Sequence, residues 1–148
     1  MLRFVNLTTS GILAGSLGFG EAALVPGWQH ELPREDTPHA IDAKYFNAIG
    51  PVALASAITL AVAAKGEGAL RRSLDAATAI GLAGVLASTI MVTVPINQEL
   101  EAQPASDYPS ERSQSLSRSW TRAHAVRTSL GLGAFICAVA ANVAQRAK

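Results

Sequence analysis

The 148-residue chain is poor in charge, in aromatic residues and in cysteine. Asp, Glu, Lys and Arg make up 16% of the residues, whereas an average soluble domain has about 25%. The net charge of +1 gives no support for nucleic-acid binding, which needs a basic surface. The single cysteine, Cys137, excludes an intrachain disulfide framework and any multi-cysteine metal site. The chain is not predicted to be disordered, because 49% of it is hydrophobic.

The charged residues are absent from four long runs. These runs are residues 4–20, 45–64, 76–98 and 128–145. A helix needs about 20 mostly apolar residues to cross the hydrocarbon of a bilayer. The first run reaches this length only if its helix continues past Glu21 to about Pro26. The runs therefore predict four transmembrane helices.

We expect an all-α fold, an integral membrane four-helix bundle that forms one domain over residues 1–148. Its predicted spans are about 4–26, 45–64, 76–98 and 120–145. The alternative, a soluble alanine-rich bundle, needs a polar stripe along each helix. Residues 46–64 have no charged stripe, because their polar side chains are only Asn47, Ser56 and Thr59.

Glycines recur at helical spacing inside three of the predicted spans. They are Gly11, Gly15, Gly81, Gly84, Gly131 and Gly133. Small residues let helix backbones approach each other in lipid, where packing replaces the hydrophobic driving force. The pattern is thus in keeping with a compact bundle.

The loops predict the orientation of the chain in the membrane. With four spans, both termini and the loop at about 65–75 share one side, and this side has an excess of Lys and Arg. Such an excess marks the cytoplasmic face. We expect a plasma-membrane protein with both termini in the cytoplasm and two long extracytoplasmic loops, at about 27–44 and 99–122.

Glu21 is an ionisable residue within the first predicted span. Such residues are expensive in a membrane and are candidates for function by default. Glu21 either lies at the interface and reaches water, or faces the bundle interior. In the interior it is a candidate proton acceptor or metal ligand.

A second set of polar residues marks the entrance of the fourth span. Trp120, His124 and Arg127 occupy positions i, i+4 and i+7, which share one face of a helix. Individually, Trp120 and Arg127 are typical of a membrane interface. Together they place an aromatic plate, an imidazole and a fixed cation side by side. Asn97, which follows Pro95 at the end of the third span, is expected on the same side, either in this site or as a simple helix-end residue.

The three histidines of the chain are predicted on or near this same side. Imidazole is the commonest metal ligand, and histidine with a carboxylate suits iron or copper. A metal site is therefore one hypothesis. Its candidate ligands are Glu21, His30, His39 and His124.

These residues resemble a known family. Four spans, a glycine-rich first helix, the segment VPIN ending at Asn97, and Trp120-x-x-x-His124-x-x-Arg127 resemble the DUF1772 family, which includes the anthrone oxygenases. The resemblance implies a membrane oxygenase that converts an activated ring CH₂ of a reduced polycyclic aromatic to a carbonyl, with O₂ as oxidant. It implies that His124 removes the CH₂ proton, that Arg127 and Asn97 hold the oxyanion, and that Trp120 stacks on the substrate.

Under this resemblance the reaction either needs no cofactor or uses a metal, with His124 as ligand and Glu21 as its partner. The expected partners are membrane lipid, an apolar aromatic small molecule and O₂, with no nucleic acid, and homo-oligomerisation stays open. Two alternatives from other classes also stay open. One is a membrane redox protein that binds iron, copper or haem, and the other is a non-enzymatic structural or transport-like bundle.

Overall fold

The computed structural model of the chain describes residues 1–24, 39–64, 66, 68–103 and 110–146. Within these residues every element is a helix. The α-helices are α1 (Leu2–Phe19), α2 (His39–Ala63), α3 (Ala69–Ser88), α4 (Val94–Glu101) and α5 (Glu111–Arg146). Two π-helical segments continue them: π1 (Gly20–Leu24) extends α1, and π2 (Thr89–Thr93) joins α3 to α4. The predicted all-α fold is thus confirmed for the described residues.

Three helices are long and apolar enough to cross a membrane, which fits an integral membrane protein. They are Phe46–Ala63, Ala69–Glu101 and Glu111–Ala144. The described first helix is not among the three. It carries Arg3, Asn6 and several hydroxyl residues, which lower its apolar content. The first of the four predicted spans therefore stays a prediction.

The long helices pack in a closed cycle, in which α1 contacts α2, α2 contacts α3, α3 contacts α5, and α5 returns to α1. Arg3 bonds Asp75, so α1 and α3 begin at the same end. Leu17, late in α1, contacts His124, early in α5, so these two helices run in opposite directions. We call the end with Arg3 and Asp75 the Arg3 end, and the opposite end the Glu21 end.

The centre of the packed helices is apolar and built from small and medium side chains. All four long helices contribute to it, with Leu13, Leu17, Ala53, Ala57, Leu82, Val85 and Ala134. A Cβ atom at Gly131 would lie 2.8 Å from Leu17 Cδ1, and one at Gly81 would lie 3.0 Å from Ala134 Cβ. Close helix contacts thus form at some of the predicted glycines. At Gly15 and Gly133, by contrast, a Cβ would meet no atom within 4 Å.

Polar residues of α1 are buried near the Arg3 end. Arg3 Nη2 lies 2.9 Å from Asp75 Oδ2, and Asn6 Nδ2 donates to Ser56 Oγ at 3.1 Å. These bonds satisfy groups that would otherwise be costly to bury. The polar content of α1 is therefore directed toward the other helices.

The helices extend beyond the uncharged runs that predicted them. Helix α2 begins at His39 instead of about residue 45, and α3 begins at Ala69 instead of about residue 76. Helix α4 ends at Glu101, beyond the predicted end at about residue 98, and α5 begins at Glu111 instead of about residue 120. The reason is that charge ends a hydrocarbon span but does not end a helix, since Glu, Lys and Arg are good helix formers.

Candidate functional site

Both π-helical segments lie at the Glu21 end and flank the first half of α5. Segment π1 carries Glu21, and π2 carries Thr89, which bonds α5. The peptide Val94-Pro95 directly follows π2, and Val25-Pro26 follows π1 in the sequence. Pro95 has no N–H and would clash with the carbonyl four residues before it, and a local π adjustment accommodates such a proline. π-Helical turns inside α-helices occur frequently at functional sites.

Trp120, His124 and Arg127 form one buried cluster on α5. The rings of Trp120 and His124 stack with centroids 4.9 Å apart and an angle of 6° between their planes. The guanidinium carbon of Arg127 lies 5.9 Å from the centre of the Trp120 ring. All three residues are more than nine-tenths buried. One face of Trp120 is thus covered by His124.

The hydrogen bonds of His124 define its tautomer. Arg127 Nη2 lies 2.7 Å from His124 Nδ1. Arginine has only donors, so Nδ1 is the acceptor and the imidazole is neutral with its proton on Nε2. His124 Nε2 lies 3.3 Å from the carbonyl oxygen of Leu17. In this arrangement neither ring nitrogen offers a free lone pair.

The role that the resemblance implies for His124, removal of the CH₂ proton, requires a ring nitrogen to be released from one of these contacts. A general base needs a lone pair within hydrogen-bond reach of the proton that it removes. Both ring nitrogens of His124 are already engaged, one as acceptor from Arg127 and the other as donor toward Leu17. The role of His124 as the base stays a prediction, and the neighbouring Glu21 is a second candidate.

Glu21 is the carboxylate beside His124. Glu21 Oε2 lies 3.7 Å from His124 Nε2, and the Glu21 side chain is 37% exposed. Oε2 itself is buried and has no hydrogen-bond partner in the part of the chain that the structure describes. Glu21 therefore faces the cluster while one side of it remains accessible. The position of Glu21 relative to the membrane surface stays a prediction.

Gly20 lets helix α1 and segment π1 approach the imidazole. A Cβ atom at Gly20 would lie 3.0 Å from His124 Nε2 and 3.1 Å from His124 Cε1. These distances are tighter than nine in ten real Cβ contacts. Glycine therefore favours this close approach, since a side chain here would force the imidazole to shift, and the sequence pattern did not single Gly20 out.

Thr89 is a further member of the cluster that sequence reasoning missed. Arg127 Nη1 donates to Thr89 Oγ1 at 3.3 Å, and the Thr89 hydroxyl donates to the Val85 carbonyl at 2.8 Å. The guanidinium is thus held between Thr89 and His124. A signal was present, because Thr89, Thr93 and Asn97 follow each other at intervals of four residues.

Asn97 lies near the cluster but is not bonded to it. It is half-buried on α4. Its neighbours Ile96 and Leu100 pack with Leu116 and Trp120 in a small apolar cluster. Among the described residues, no hydrogen bond joins the Asn97 side chain to the other predicted site residues. The structure therefore brings together Glu21, Trp120, His124 and Arg127, with Asn97 at the edge.

The predicted metal ligands are only partly described. His30 lies outside the described residues, and so does the side chain of His39, whose backbone begins α2. Over the described ranges, no group of three or more His, Cys, Asp or Glu residues is arranged to hold a metal ion. Glu21 and His124 lie side by side, and the four-residue set stays a prediction.

A family model of known proteins matches the larger part of the chain. The family model described as anthrone oxygenase matches residues 39–137, which is 99 of the 148 residues. The match includes Thr89, Asn97 and the Trp120–His124–Arg127 cluster, whereas Gly20 and Glu21 precede it. Neither a curated protein nor a solved structure matches the chain. The match over residues 39–137 means that this chain belongs to the anthrone oxygenase family.

Proposed function

We propose that this protein is a membrane-embedded oxygenase, which oxidises a reduced polycyclic aromatic or phenolic compound with O₂. Membership of the anthrone oxygenase family supports the reaction class. The single observation that carries the proposal is the buried cluster at the Glu21 end, in which His124 lies between Arg127 and Glu21 and is stacked on Trp120.

The proposed setting is the plasma membrane, with both termini in the cytoplasm and the cluster near the outer face. Three helices with the length and apolarity of membrane spans support the membrane location, and the excess of Lys and Arg on the side of the termini supports the orientation. Both apolar aromatic compounds and O₂ partition into hydrocarbon, so a site between such helices is reached from the lipid. The partly exposed Glu21 side chain keeps a polar route open for protons.

The reaction balances without an external reductant. A ring CH₂ and one O₂ give a ring carbonyl and one water. The carbon loses two hydrogens and gains one oxygen atom, and the second oxygen atom leaves as water. All four electrons that reduce O₂ come from the substrate carbon. Removal of one CH₂ proton starts the sequence, because it leaves an electron-rich carbanion whose charge spreads onto the ring oxygen.

We assign removal of this proton to Glu21. Its Oε2 atom lies beside the cluster and has no hydrogen-bond partner among the described residues. Glu21 Oε2 lies 3.7 Å from His124 Nε2, next to the imidazole but beyond hydrogen-bond distance, while Arg127 holds the imidazole in one tautomer. The fixed charge of Arg127 also stabilises the oxyanion that forms on the ring, since preorganised charges are most effective in a site from which water is excluded.

Glu21→Gln tests this assignment. We expect oxygen uptake and quinone formation with an anthrone, measured in membranes that contain the protein, to fall at least about 100-fold. This is the usual contribution of a general base. Glu111→Gln is the matched control, because Glu111 is an exposed carboxylate at the same end of the helices. Its activity should equal that of the wild type.

The result for His124→Ala completes the test. We expect this variant to lose activity as well, because Glu21 and Arg127 lose their shared partner. If Glu21→Gln keeps full activity while His124→Ala is inactive, His124 itself is the base, and the role assigned to Glu21 is wrong. If the wild-type protein forms no quinone from any anthrone or reduced phenol, the proposed oxygenase function fails.

A further inference from the structure

Two buried polar atoms, one in the π2 segment and one in the cluster, have no partner among the described residues. They are Thr93 Oγ1 and Arg127 Nε. Thr93 is 5% exposed and Arg127 is 7% exposed, so neither side chain is satisfied by bulk water. Buried polar groups are nearly always hydrogen-bonded. Unsatisfied buried donors of this kind point to a bound atom that accepts hydrogen bonds.

Thr93 differs from other threonines in these helices. The hydroxyl groups of Thr9, Thr59, Thr78, Thr89 and Thr121 each donate to the backbone carbonyl four residues earlier. No such bond forms at Thr93, which is the last residue of the π2 segment. In a π-helix the backbone is wound more loosely, so position i−4 no longer lies directly below the side chain. The Thr93 O–H group is consequently left available.

The packing of α4 on α5 places Thr93 close to the level of His124. Ile96 and Leu100 pack with Leu116 and Trp120, and Thr89 accepts a hydrogen bond from Arg127. Thr93 lies between these two contacts along the chain. The segment π2–α4 and helix α5 run in opposite directions. The part of α5 at the level of Thr93 therefore lies between Trp120 and Arg127. This stretch contains His124.

We propose that the Thr93 hydroxyl and Arg127 Nε–H together bind one oxygen atom of an aromatic ketone or phenolate. Both groups act as donors, so the bound atom must be an acceptor. Trp120 and Ile96 beside them are apolar, which favours an oxygen attached to a flat hydrocarbon body. The identity of this ligand rests on the proposed oxygenase function. The oxygen bound is the one on which negative charge develops when Glu21 removes the ring proton.

Thr93 is then a substrate-binding residue, and Asn97 is not needed to hold the oxyanion. Thr93 and Arg127 both lie within the region matched by the family model, whereas Glu21 precedes it. The site thus has two parts. One part binds the oxygen between π2 and α5, and the other removes the proton from the side of π1.

Binding of two inert probes to the purified protein in detergent tests the proposal. The probes are 9,10-anthraquinone, which has ring carbonyl oxygens, and anthracene, which has the same ring system without oxygen. Equilibrium dialysis gives the Kd for each probe. We expect Thr93→Val to weaken anthraquinone binding about tenfold, which is typical for the loss of one hydrogen bond. Anthracene binding should not change, and Thr93→Ser should retain the wild-type affinity for anthraquinone.

Thr59→Val is the matched control. Thr59 is exposed on α2, and its hydroxyl bonds only the Ala55 carbonyl. This variant should bind both probes as the wild type does. The proposal is overturned if Thr93→Val binds anthraquinone as tightly as the wild type, or loses affinity for both probes equally. It is also overturned if the wild-type protein binds neither probe, or shows no preference for anthraquinone, since Thr93 would then hold only water.

The oxygen-uptake assay separates this proposal from the proposed function. If anthraquinone binding depends on Thr93 but no anthrone is oxidised, the proposed binding site is supported and the proposed oxygenase function is wrong. If an anthrone is oxidised but Thr93→Val does not change anthraquinone binding, the oxygenase function is supported and the proposed binding site is wrong.

Discussion

His124 is held on three sides by groups of different chemistry. Trp120 stacks on its ring, Arg127 donates to Nδ1, and the Leu17 carbonyl lies within reach of Nε2. This environment holds the imidazole in one tautomer and one orientation. A ring that is held so firmly cannot yield to a new neighbour without losing one of these contacts.

Gly20→Ala tests the importance of this fit. The added methyl group would lie 3.0 Å from His124 Nε2, so the imidazole must shift by a few tenths of an ångström from its present contacts. We expect oxygenase activity to fall about 100-fold, in line with the effect of a small misplacement at a reacting centre. Oxygen uptake with an anthrone in membranes is the measurement.

Gly18→Ala is the control for this change, since a Cβ at Gly18 meets no atom within 4 Å. It should keep full activity and gain slightly in helix stability, because alanine favours a helix over glycine. Equal activity of the Gly20→Ala protein and the wild type would show that the close approach of π1 is not needed.

At the scale of the elements, the position of α5 depends on close contacts with α1 and α3. Gly131 lies against Leu17, and Gly81 and Gly84 lie against Ala134 and Leu130. In lipid, such contacts are a main source of helix association. They set how near the α5 cluster comes to π1 and π2.

Gly81→Leu should separate α3 from α5. A Cβ at Gly81 would already lie 3.0 Å from Ala134 Cβ and 3.2 Å from the Leu130 carbonyl oxygen, which is backbone and cannot rotate away. We expect a loss of about 1–3 kcal/mol in the free energy of unfolding, as for other overpacked sites. Denaturation in detergent, followed by circular dichroism, provides the value.

The same substitution at Gly133, which has no neighbour within 4 Å of a Cβ, serves as the reference. Gly133→Leu should unfold like the wild type. If both variants lose the same stability, the effect comes from replacing a helical glycine and not from the contact between α3 and α5.

At the scale of the whole molecule, the bundle has two distinct ends. The Arg3–Asp75 ion pair lies at one end, and Glu21 with His124 lies at the other. The start of α3 at Ala69 lies at the Arg3 end, and the start of α5 at Glu111 lies at the Glu21 end. If the chain crosses the membrane as proposed, these two positions lie on opposite sides of it.

Cysteine labelling tests this placement in a Cys137→Ser background. Ala69 and Glu111 are both exposed, so a cysteine at either position is accessible to a maleimide on its own side. In intact cells a membrane-impermeant maleimide should label Glu111→Cys at once and Ala69→Cys only after permeabilisation. Labelling of both from one side would contradict the proposed crossing, and the reverse pattern would invert the orientation.

Residue spacing alone was enough to indicate the core of the candidate site. Trp120, His124 and Arg127 lie within seven positions of one helix, where local geometry dictates a shared face. The uncharged runs likewise indicated where the apolar helices lie. The helix ends were predicted less well. The distribution of charge indicates where a chain leaves the hydrocarbon of a bilayer, but helical hydrogen bonding continues past that point.

The parts that the sequence did not reveal depend on contacts between distant segments. Gly20 and Glu21 meet His124 across more than a hundred residues, and Thr89 meets Arg127 across thirty-eight. The π-helical segments follow no hydrophobic period and so leave no pattern to read. The tautomer of His124 also left no signal in the sequence, since it is set by which neighbour donates to which nitrogen.

The sequence by itself determined the class of this protein, its apolar helices and the face that carries Trp120, His124 and Arg127, because these depend on composition and on spacing within one helix. Only the tertiary structure decided that Glu21 faces the imidazole, that Nδ1 is occupied by Arg127, and that Thr93 has no partner among the described residues. These features arise where separate helices pack together. Their geometry is set by side-chain contacts that no single segment encodes.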